Sequence, residues 1–351
     1  MAYTPIDKSN DYFTPYLWTG NGAVSRVFTG VGLQADMMWS KIRTSAHQHN
    51  IVDTVRGVNQ RLISPNLPNA EDTTCTHGHF DSLDPDGFTI TGAGGNWNVN
   101  ASGNNYVGWN WKAGGTAVSN AAGSITSSVS ANTDSGFSVV TYTGNATTSQ
   151  SVGHGLNSVP KMIIVKNRID ASDWKIYHAS LGTGYQIILN SSAAASSAGT
   201  LWGSTTPTSN LFYINNDGSV NGSGDGMVAY CFADVKGYSK MGSYTGNGST
   251  DGTFVYTGFK PAFVMTKSAT QAYRWYMFDN KRNAYNVVNG RIFANTSDAE
   301  ATNQNTLDFT SNGFKIRTGD AEINGSGQTI IYLAIAEQPF VTSGGTPTTA
   351  R

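Results

Sequence analysis

Two pairs of histidines are the side chains of this 351-residue sequence whose spacing most directly suggests chemistry. His47 and His49 flank a glutamine, and His77 and His79 flank a glycine. Alternate residues of a β-strand point to the same side, so each pair could offer two imidazoles to one metal ion. Gly78, however, is typical of a loop, where these histidines would be ordinary polar residues. The sequence leaves both interpretations open and predicts no other cofactor.

Aspartates recur at one position in two parts of the chain. Asp53 and Asp279 each stand three residues before an arginine, Arg56 or Arg282. Two carboxylates could act as acid and base on a polysaccharide, but such catalysis needs a cleft in which acids converge. A structural ion pair between each aspartate and its arginine is the simpler interpretation, and we expect the protein not to be an enzyme.

Two short segments resemble fragments of calcium-binding loops. Residues 84–87 read Asp-Pro-Asp-Gly, and residues 215–218 read Asn-Asn-Asp-Gly. Neither has the full ligand spacing or the closing glutamate of a calcium loop, and Asp-Gly beside a strand first of all indicates a turn. We therefore predict turns at both places.

Aromatic residues interleaved with Asn, Gln, Ser and Thr are the remaining candidates for recognition. An exposed ring can stack on a sugar or fill a protein interface. Trp174 and Trp275 occupy equivalent positions in a repeat, which favours packing in a core. Trp97 and Trp202 have no such counterpart and are predicted to lie on the surface as recognition residues.

The elements that must position these residues occur three times along the chain. Between the first and second copies of three motifs the offsets are 124, 125 and 121 residues, and between the second and third they are 102, 101 and 103. A period this long indicates a small domain, because solenoid and propeller repeats have periods of roughly 20 to 50 residues. The motifs are Thr-Gly-Asn at 19, 143 and 245, a lysine after an apolar run at 41, 166 and 267, and Asn-x-Ser-Gly at 100, 221 and 324.

Alternating large and small residues predict strands in each copy. After the first Asn-x-Ser-Gly, Val107, Trp109 and Trp111 share one face, and the second and third copies alternate in the same way. We expect the large residues to fill a sandwich core and the small ones to admit a second layer, another repeat or another subunit. The predicted fold class is all-β, with three tandem antiparallel β-sandwich repeats, jelly-roll-like and about 100 residues each.

The repeats divide the chain into six predicted segments. Residues 113–135 are almost entirely Ala, Gly, Ser, Thr, Val and Asn, so we expect a linker or a weak strand excursion there. The full division is an N-terminal arm at 1–15, repeats at 16–112, 136–237 and 238–340, the Ala/Gly/Ser linker at 113–135, and a C-terminal tail at 341–351.

Composition limits the possible partners. The net charge is −1 and only 13% of residues are charged, so the chain has no basic surface to gather phosphates and we expect no nucleic-acid partner. No apolar run of 18 residues occurs, which predicts no membrane insertion. Cys75 and Cys231 fall at different places in different repeats and are expected to be free thiols.

Segments of the third repeat resemble a family of tail-fibre-like and virion-associated structural proteins of marine bacteriophages of the cyanophage type. The resembling segments lie at 240–267, 275–290, 312–327 and 332–351. The resemblance implies a non-enzymatic component of a phage particle, assembled in the host cytoplasm and located on the virion. It supplies no catalytic residues.

Residues and resemblance together predict a tail-fibre or surface-appendage protein that serves assembly and host attachment. Its expected partners are other virion proteins, further copies of itself as a homo-oligomer, for which we expect a trimer, and a host cell-surface glycan or protein. Two alternatives remain. One is a capsid decoration or tail-ring protein that serves assembly only, and the other is a polysaccharide depolymerase in which Asp53, Asp279 or other acids act as acid and base.

Overall fold

A computed structural model describes residues 4–59, 63–92, 98–199, 201–342 and 344–347. Strands account for 43% of the chain and helices for 3%, and the strands within each sheet are antiparallel neighbours. The predicted all-β, antiparallel fold class is confirmed.

The first repeat forms two facing sheets. Its large sheet has the strand order β1-β7-β3-β4, and its small sheet has the order β2-β6-β5. The strands are β1 (Phe13–Thr19), β2 (Ser25–Thr29), β3 (Met37–Ile42), β4 (Asn50–Asp53), β5 (His79–Asp84), β6 (Gly87–Thr91) and β7 (Asn105–Trp111), preceded by a 3-10 turn at Ser9–Asp11.

The second repeat has a wider large sheet. Eight strands follow the order β15-β14-β13-β12-β17-β10-β9-β8, and β11 pairs with β16 in the small sheet. The elements are β8 (Val118–Asn120), β9 (Ser127–Asn132), β10 (Phe137–Thr143), β11 (Gln150–Gly153), β12 (Pro160–Asn167), β13 (Lys175–His178), β14 (Tyr185–Ile188), β15 (Ser196–Ser197), β16 (Leu211–Ile214), helix α1 (Gly218–Asn221) and β17 (Gly226–Ala233).

The third repeat again has one large and one small sheet. Their strand orders are β18-β25-β20-β21-β22 and β19-β24-β23. The elements are β18 (Ser239–Thr245), β19 (Phe254–Tyr256), β20 (Lys260–Ser268), β21 (Tyr276–Asp279), β22 (Ile292–Phe293), β23 (Leu307–Thr310), β24 (Gly313–Ile316), helix α2 (Ala321–Asn324) and β25 (Thr329–Gln338).

The three large sheets share one strand order. In each, the first strand of the repeat pairs with the last, the last with the third, and the third with the fourth: β1-β7-β3-β4, β10-β17-β12-β13 and β18-β25-β20-β21. Three copies of one module would give this agreement. The segment 113–135 contains β8 and β9, which extend the second large sheet beyond β10, so it forms strands as well as connecting repeats.

The large and small residues of the large sheets face the opposite way from the prediction, which put the large ones inside each sandwich. The large residues of β7 and β17, among them Trp109 and Tyr230, join one apolar core shared by all three repeats. The small residues Ala229 and Cys231 pack instead inside the second sandwich, together with Phe212 of its small sheet. The large residues are needed at the centre because three sheets meet there, and aromatic rings of the small sheet already fill the sandwich interior.

The two glycine-containing motifs face each other in every repeat. A Cβ atom on Gly20 would lie 2.1 Å from the Ala101 carbonyl oxygen, so only glycine fits this close approach. The Asn100 side chain accepts a hydrogen bond from the Asn21 backbone and donates to the Asn21 side chain at 2.8 Å. Asn221 and Asn324 make equivalent contacts. The asparagines therefore tie the first strand of each repeat to its last.

None of the helices in the described ranges has both the length and the apolar character needed to span a membrane.

Candidate functional site

Asp53 connects the first repeat to the second. Its carboxylate is fully buried at the end of β4, where it accepts hydrogen bonds from the Arg56 backbone at 2.8 Å and the Arg56 Nε at 2.5 Å. The Tyr230 hydroxyl of β17 donates to its Oδ2 at 2.7 Å. Both carboxylate oxygens are thus occupied, one of them by a residue of the next repeat.

Asp279 repeats this arrangement between the third repeat and the first. It is fully buried at the end of β21 and accepts from the Arg282 backbone at 2.8 Å and the Arg282 Nε at 2.5 Å. The Trp109 indole N–H of β7 donates to its Oδ2 at 3.0 Å. Trp109 and Tyr230 occupy the same position on the last strand of their repeats.

His178 takes the aspartate position in the second repeat. Its Nε2 lies 3.3 Å from the Tyr332 carbonyl oxygen of β25, and its Nδ1 accepts from the Ser180 backbone at 3.2 Å. Burial lowers the pKa of His178 to about 4, so the ring is neutral and donates its one N–H to the carbonyl. The three contacts close a ring in which the first repeat bonds the second, the second the third, and the third the first.

A second layer of ion pairs reinforces two of the three junctions. Glu71 accepts from Arg56 at 2.6 Å and from Arg168 of the second repeat at 2.8 Å. Burial would raise the pKa of Glu71, but the hydrogen bonds and charges of these two arginines outweigh it and lower the pKa. Glu300 likewise accepts from Arg282 at 2.8 Å and from Arg43 of the first repeat at 2.7 Å.

The third junction lacks these charges but keeps the same backbone contact. Ala195 and Ala269 stand where the other junctions have a glutamate and an arginine. The Ala195 N–H donates to the Ala269 carbonyl at 2.9 Å. The corresponding bonds run from Glu71 to Arg168 at 2.9 Å and from Glu300 to Arg43 at 2.8 Å.

The buried aspartates are structural. The sequence favoured ion pairs from Asp53 to Arg56 and from Asp279 to Arg282, and both pairs are present with no solvent exposure of either side chain. A polysaccharide cannot reach a carboxylate at this depth. The residues named for the depolymerase alternative therefore do not suit acid–base catalysis.

Three buried lysines end the equivalent strands β3, β12 and β20. Lys41, Lys166 and Lys267 are fully buried, and each ammonium donates to backbone carbonyls. Burial lowers the pKa of each to about 8. The shortest bonds join Lys41 to Ile42 at 2.6 Å, Lys166 to Ser172 at 2.9 Å and Lys267 to Ser268 at 2.6 Å.

The predicted metal site at the histidines is not formed at His49. Its Nδ1 accepts from the Trp39 indole at 3.0 Å, and its Nε2 lies 3.1 Å from the Phe293 carbonyl of the third repeat. Both ring nitrogens are occupied because His49 stands where the other repeats have Trp174 and Trp275. Those indoles also donate to carbonyls of a neighbouring repeat.

The other three predicted ligands do not form one group. The rings of His47 and His77 are in contact, with centroids 6.2 Å apart, whereas His79 Nε2 lies 2.9 Å from Asp81 Oδ1. Across the ranges that the structure describes, no three or more His, Cys, Asp or Glu side chains form a group that could hold a metal ion.

The predicted recognition residue Trp202 is buried. Only 2% of it is exposed, and its ring packs against Tyr177 at 6.1 Å within the second sandwich. The surface prediction was wrong because the chain between β15 and β16 folds back into the core, where the Asn215 N–H bonds the Leu201 carbonyl. Trp97 lies outside the described residues. The packing predicted for Trp174 and Trp275 is confirmed.

The segments that resemble calcium loops are turns and caps. Asp86 accepts from the backbone of Gly30 and Gly32 at 3.0 and 2.8 Å. Asp217 caps α1 by accepting from the Ser219 backbone at 2.8 Å. Each acidic side chain thus has a local structural role.

The described part of the chain has grooves on its surface, of which two are lined largely by polar side chains. A groove of about 530 Å³ lies where the N-terminal arm meets the first repeat, and a second of about 360 Å³ lies beside β8, β9 and β10. Tyr12, Asp11, Gln34, Lys112 and Asn132 are among the residues lining the first. The second is lined mainly by serine and threonine hydroxyls.

The chain belongs to the family described as domain of unknown function DUF7483, whose family model matches residues 8–339. The match runs through all three repeats. The comparisons with curated proteins and with solved structures gave no match.

Proposed function

We propose that this protein is a non-enzymatic structural component of a phage virion, most simply a tail-fibre or surface-appendage protein that serves assembly and host-surface attachment. The observation that carries the proposal is the ring of buried contacts made by Asp53, Asp279 and His178. These polar groups are used to join repeats and have no access to a substrate.

The chemistry of the ring suits a particle component. A virion protein must keep its shape outside the cell, and here no disulfide joins the buried Cys75 and Cys231, so disulfides do not supply that stability. Buried ion pairs with both oxygens bonded, and a core shared by three sheets, resist local opening because breaking one contact exposes charge. Such a body suits assembly and display better than catalysis.

The proposed partners are other virion proteins and a host cell-surface glycan or protein. We also propose that three copies of the chain associate as a homotrimer. The large faces of all three sheets are already buried in one chain, so copies would have to associate through their outer surfaces and loops.

Immunogold labelling of particles of the phage that encodes this chain tests the proposal, with pre-immune serum as the control. Label on a fibre or appendage is the expected result. Label on the capsid surface alone would favour the decoration alternative, and particles without label would contradict a virion role. Binding of the purified protein to host cells, without release of oligosaccharide, tests attachment separately.

A further inference from the structure

A small cavity lies where the three large sheets meet. Its volume is about 20 Å³, and side chains of all three repeats form its walls. The third strand of each repeat contributes the same two positions, so the cavity lies at the common centre of the repeats. These pairs are Met37 with Trp39 in β3, Met162 with Ile164 in β12, and Phe263 with Met265 in β20.

The walls of this central cavity are apolar. The described residues that line it present carbon and sulfur atoms to it, and no nitrogen or oxygen. Two of their polar groups are bonded elsewhere, because the Tyr230 hydroxyl donates to Asp53 and the Trp39 indole donates to His49. The buried Trp111 N–H has no hydrogen-bond partner among the described residues, but it contributes nothing to the cavity surface.

A cavity of this kind favours an apolar guest over water. A water molecule needs roughly 10–15 Å³ and two to four polar partners, so the central cavity has the room but lacks the partners. An apolar molecule gives up no hydrogen bonds on entering, and it supplies the dispersion contacts that the atoms of an empty wall lack. Met37, Met162 and Met265 place polarisable sulfur-containing side chains around it.

The cavity is complete only in the closed ring of repeats. Each repeat supplies part of the wall, and the lining residues, such as the fully buried Leu189, belong to the shared core. A guest would therefore bind the closed ring in preference to any opened form. Binding of that kind stabilises the closed ring by mass action.

We propose that the central cavity binds one small apolar molecule without hydrogen-bonding groups, about the size of a xenon atom. The room for little more than one water-sized sphere excludes benzene, for which a known apolar cavity is about 150 Å³. The inference goes beyond the proposed function and does not depend on it.

Xenon is the probe, and the methyl groups of methionine report where it binds. The intact protein is isotope-labelled at these methyl groups, and its methyl NMR spectrum is recorded under increasing xenon pressure. Replacing each methionine singly by leucine assigns its resonance. We expect saturable shifts at Met37, Met162 and Met265. Met38 and Met227 pack inside the first and second sandwiches, so they are internal controls and should not shift.

Filling the cavity should prevent binding. Ile164→Phe places a larger side chain in the space, and the affinity for xenon should fall at least about tenfold. Ile164→Val is the matched control, because it removes a methyl group at the same position and should keep xenon binding. Full retention of xenon binding in Ile164→Phe would contradict the location of the site.

The unmodified chain decides the proposal even where a variant fails to fold. The proposal would be overturned by a lack of saturable shifts at the three lining methionines, or by equal shifts at Met38 and Met227, which would mean that xenon dissolves throughout the core. Thermal melting shows whether Ile164→Phe folds. If it does not, Leu189→Ala replaces it: this variant enlarges the cavity and should let benzene shift the same three methyl groups, whereas benzene should not shift them in the unmodified chain.

Discussion

The indole nitrogen of Trp109 donates a hydrogen bond to the carboxylate of Asp279, although 170 positions separate the two residues. Tyr230 and Asp53 make the same contact across 177 positions. These bonds join different repeats. Their loss should therefore weaken the closed ring of contacts between the three repeats.

Removing the Trp109 donor should destabilise the whole chain. Trp109→Phe keeps most of the ring but leaves one oxygen of a buried carboxylate without this partner, at a cost of about 1–3 kcal/mol. Trp111→Phe is the matched control, because the buried Trp111 indole has no hydrogen-bond partner. Urea denaturation gives both values, and an equal loss for the two variants would contradict the role of the bond.

An ion pair added at the third junction should stabilise it. Ala195→Glu together with Ala269→Arg copies the charges of the other two junctions, where the backbone contact is the same. We expect a favourable coupling of about 0.5–1 kcal/mol in a double-mutant cycle. Zero or unfavourable coupling would show that the third junction differs in geometry from the other two.

The close approach at Gly20 should be intolerant of a methyl group. Gly20→Ala brings Cβ to 2.1 Å from a carbonyl oxygen, and we expect a loss of at least about 2 kcal/mol in the free energy of unfolding. Gly184→Ala is the control, since no atom lies within 4 Å of its Cβ position. Thermal melting compares the two variants. Similar melting temperatures would contradict the close approach of Gly20 to the Ala101 carbonyl.

Stability should rise with pH above neutrality. Burial lowers the pKa of Lys41, Lys166 and Lys267 from 10.5 to about 8, so between these values the unfolded chain binds more protons than the folded one. The stability gained when these buried lysines are deprotonated is lost as the pH falls through 8. Each lysine contributes up to about 1.4 kcal/mol per pH unit.

Measurement between pH 8 and 9 samples the lysines best; the Cys231 thiol, whose pKa burial raises from 9.0 to about 12, opposes them there. At higher pH the tyrosines whose pKa burial raises, such as Tyr142 and Tyr238, oppose the trend more strongly, because they ionise in the unfolded chain alone. Denaturation at several pH values gives the slope, and Lys267→Met should lower it by about 1 kcal/mol per pH unit, the share of one lysine, whatever its effect on stability itself. A slope that Lys267→Met leaves unchanged would contradict the burial of its ammonium group.

The sequence was informative about local structure. Its three-fold period and alternating patterns predicted the strands and the antiparallel fold class, and the spacing of Asp53 and Arg56 predicted their ion pair. Equivalent positions also predicted the packing of Trp174 and Trp275. These features depend on neighbours along the chain or on comparison between copies.

Contacts between repeats could not be read from the sequence. Alternation shows that the two faces of β17 differ, but not that the face of Tyr230 points to a shared centre. The metal prediction for His49 failed for the same reason. His49 occupies a position that is tryptophan in the other repeats, and there it contacts the third repeat. The local spacing of the histidines does not indicate that contact.

Differential scanning calorimetry of the intact chain tests most directly whether the three repeats share one core. We predict a single transition whose calorimetric enthalpy equals its van't Hoff enthalpy, because no repeat can unfold without exposing the large faces of the other two. Two or three separate transitions, or a calorimetric enthalpy two to three times the van't Hoff value, would mean that the repeats fold as independent domains.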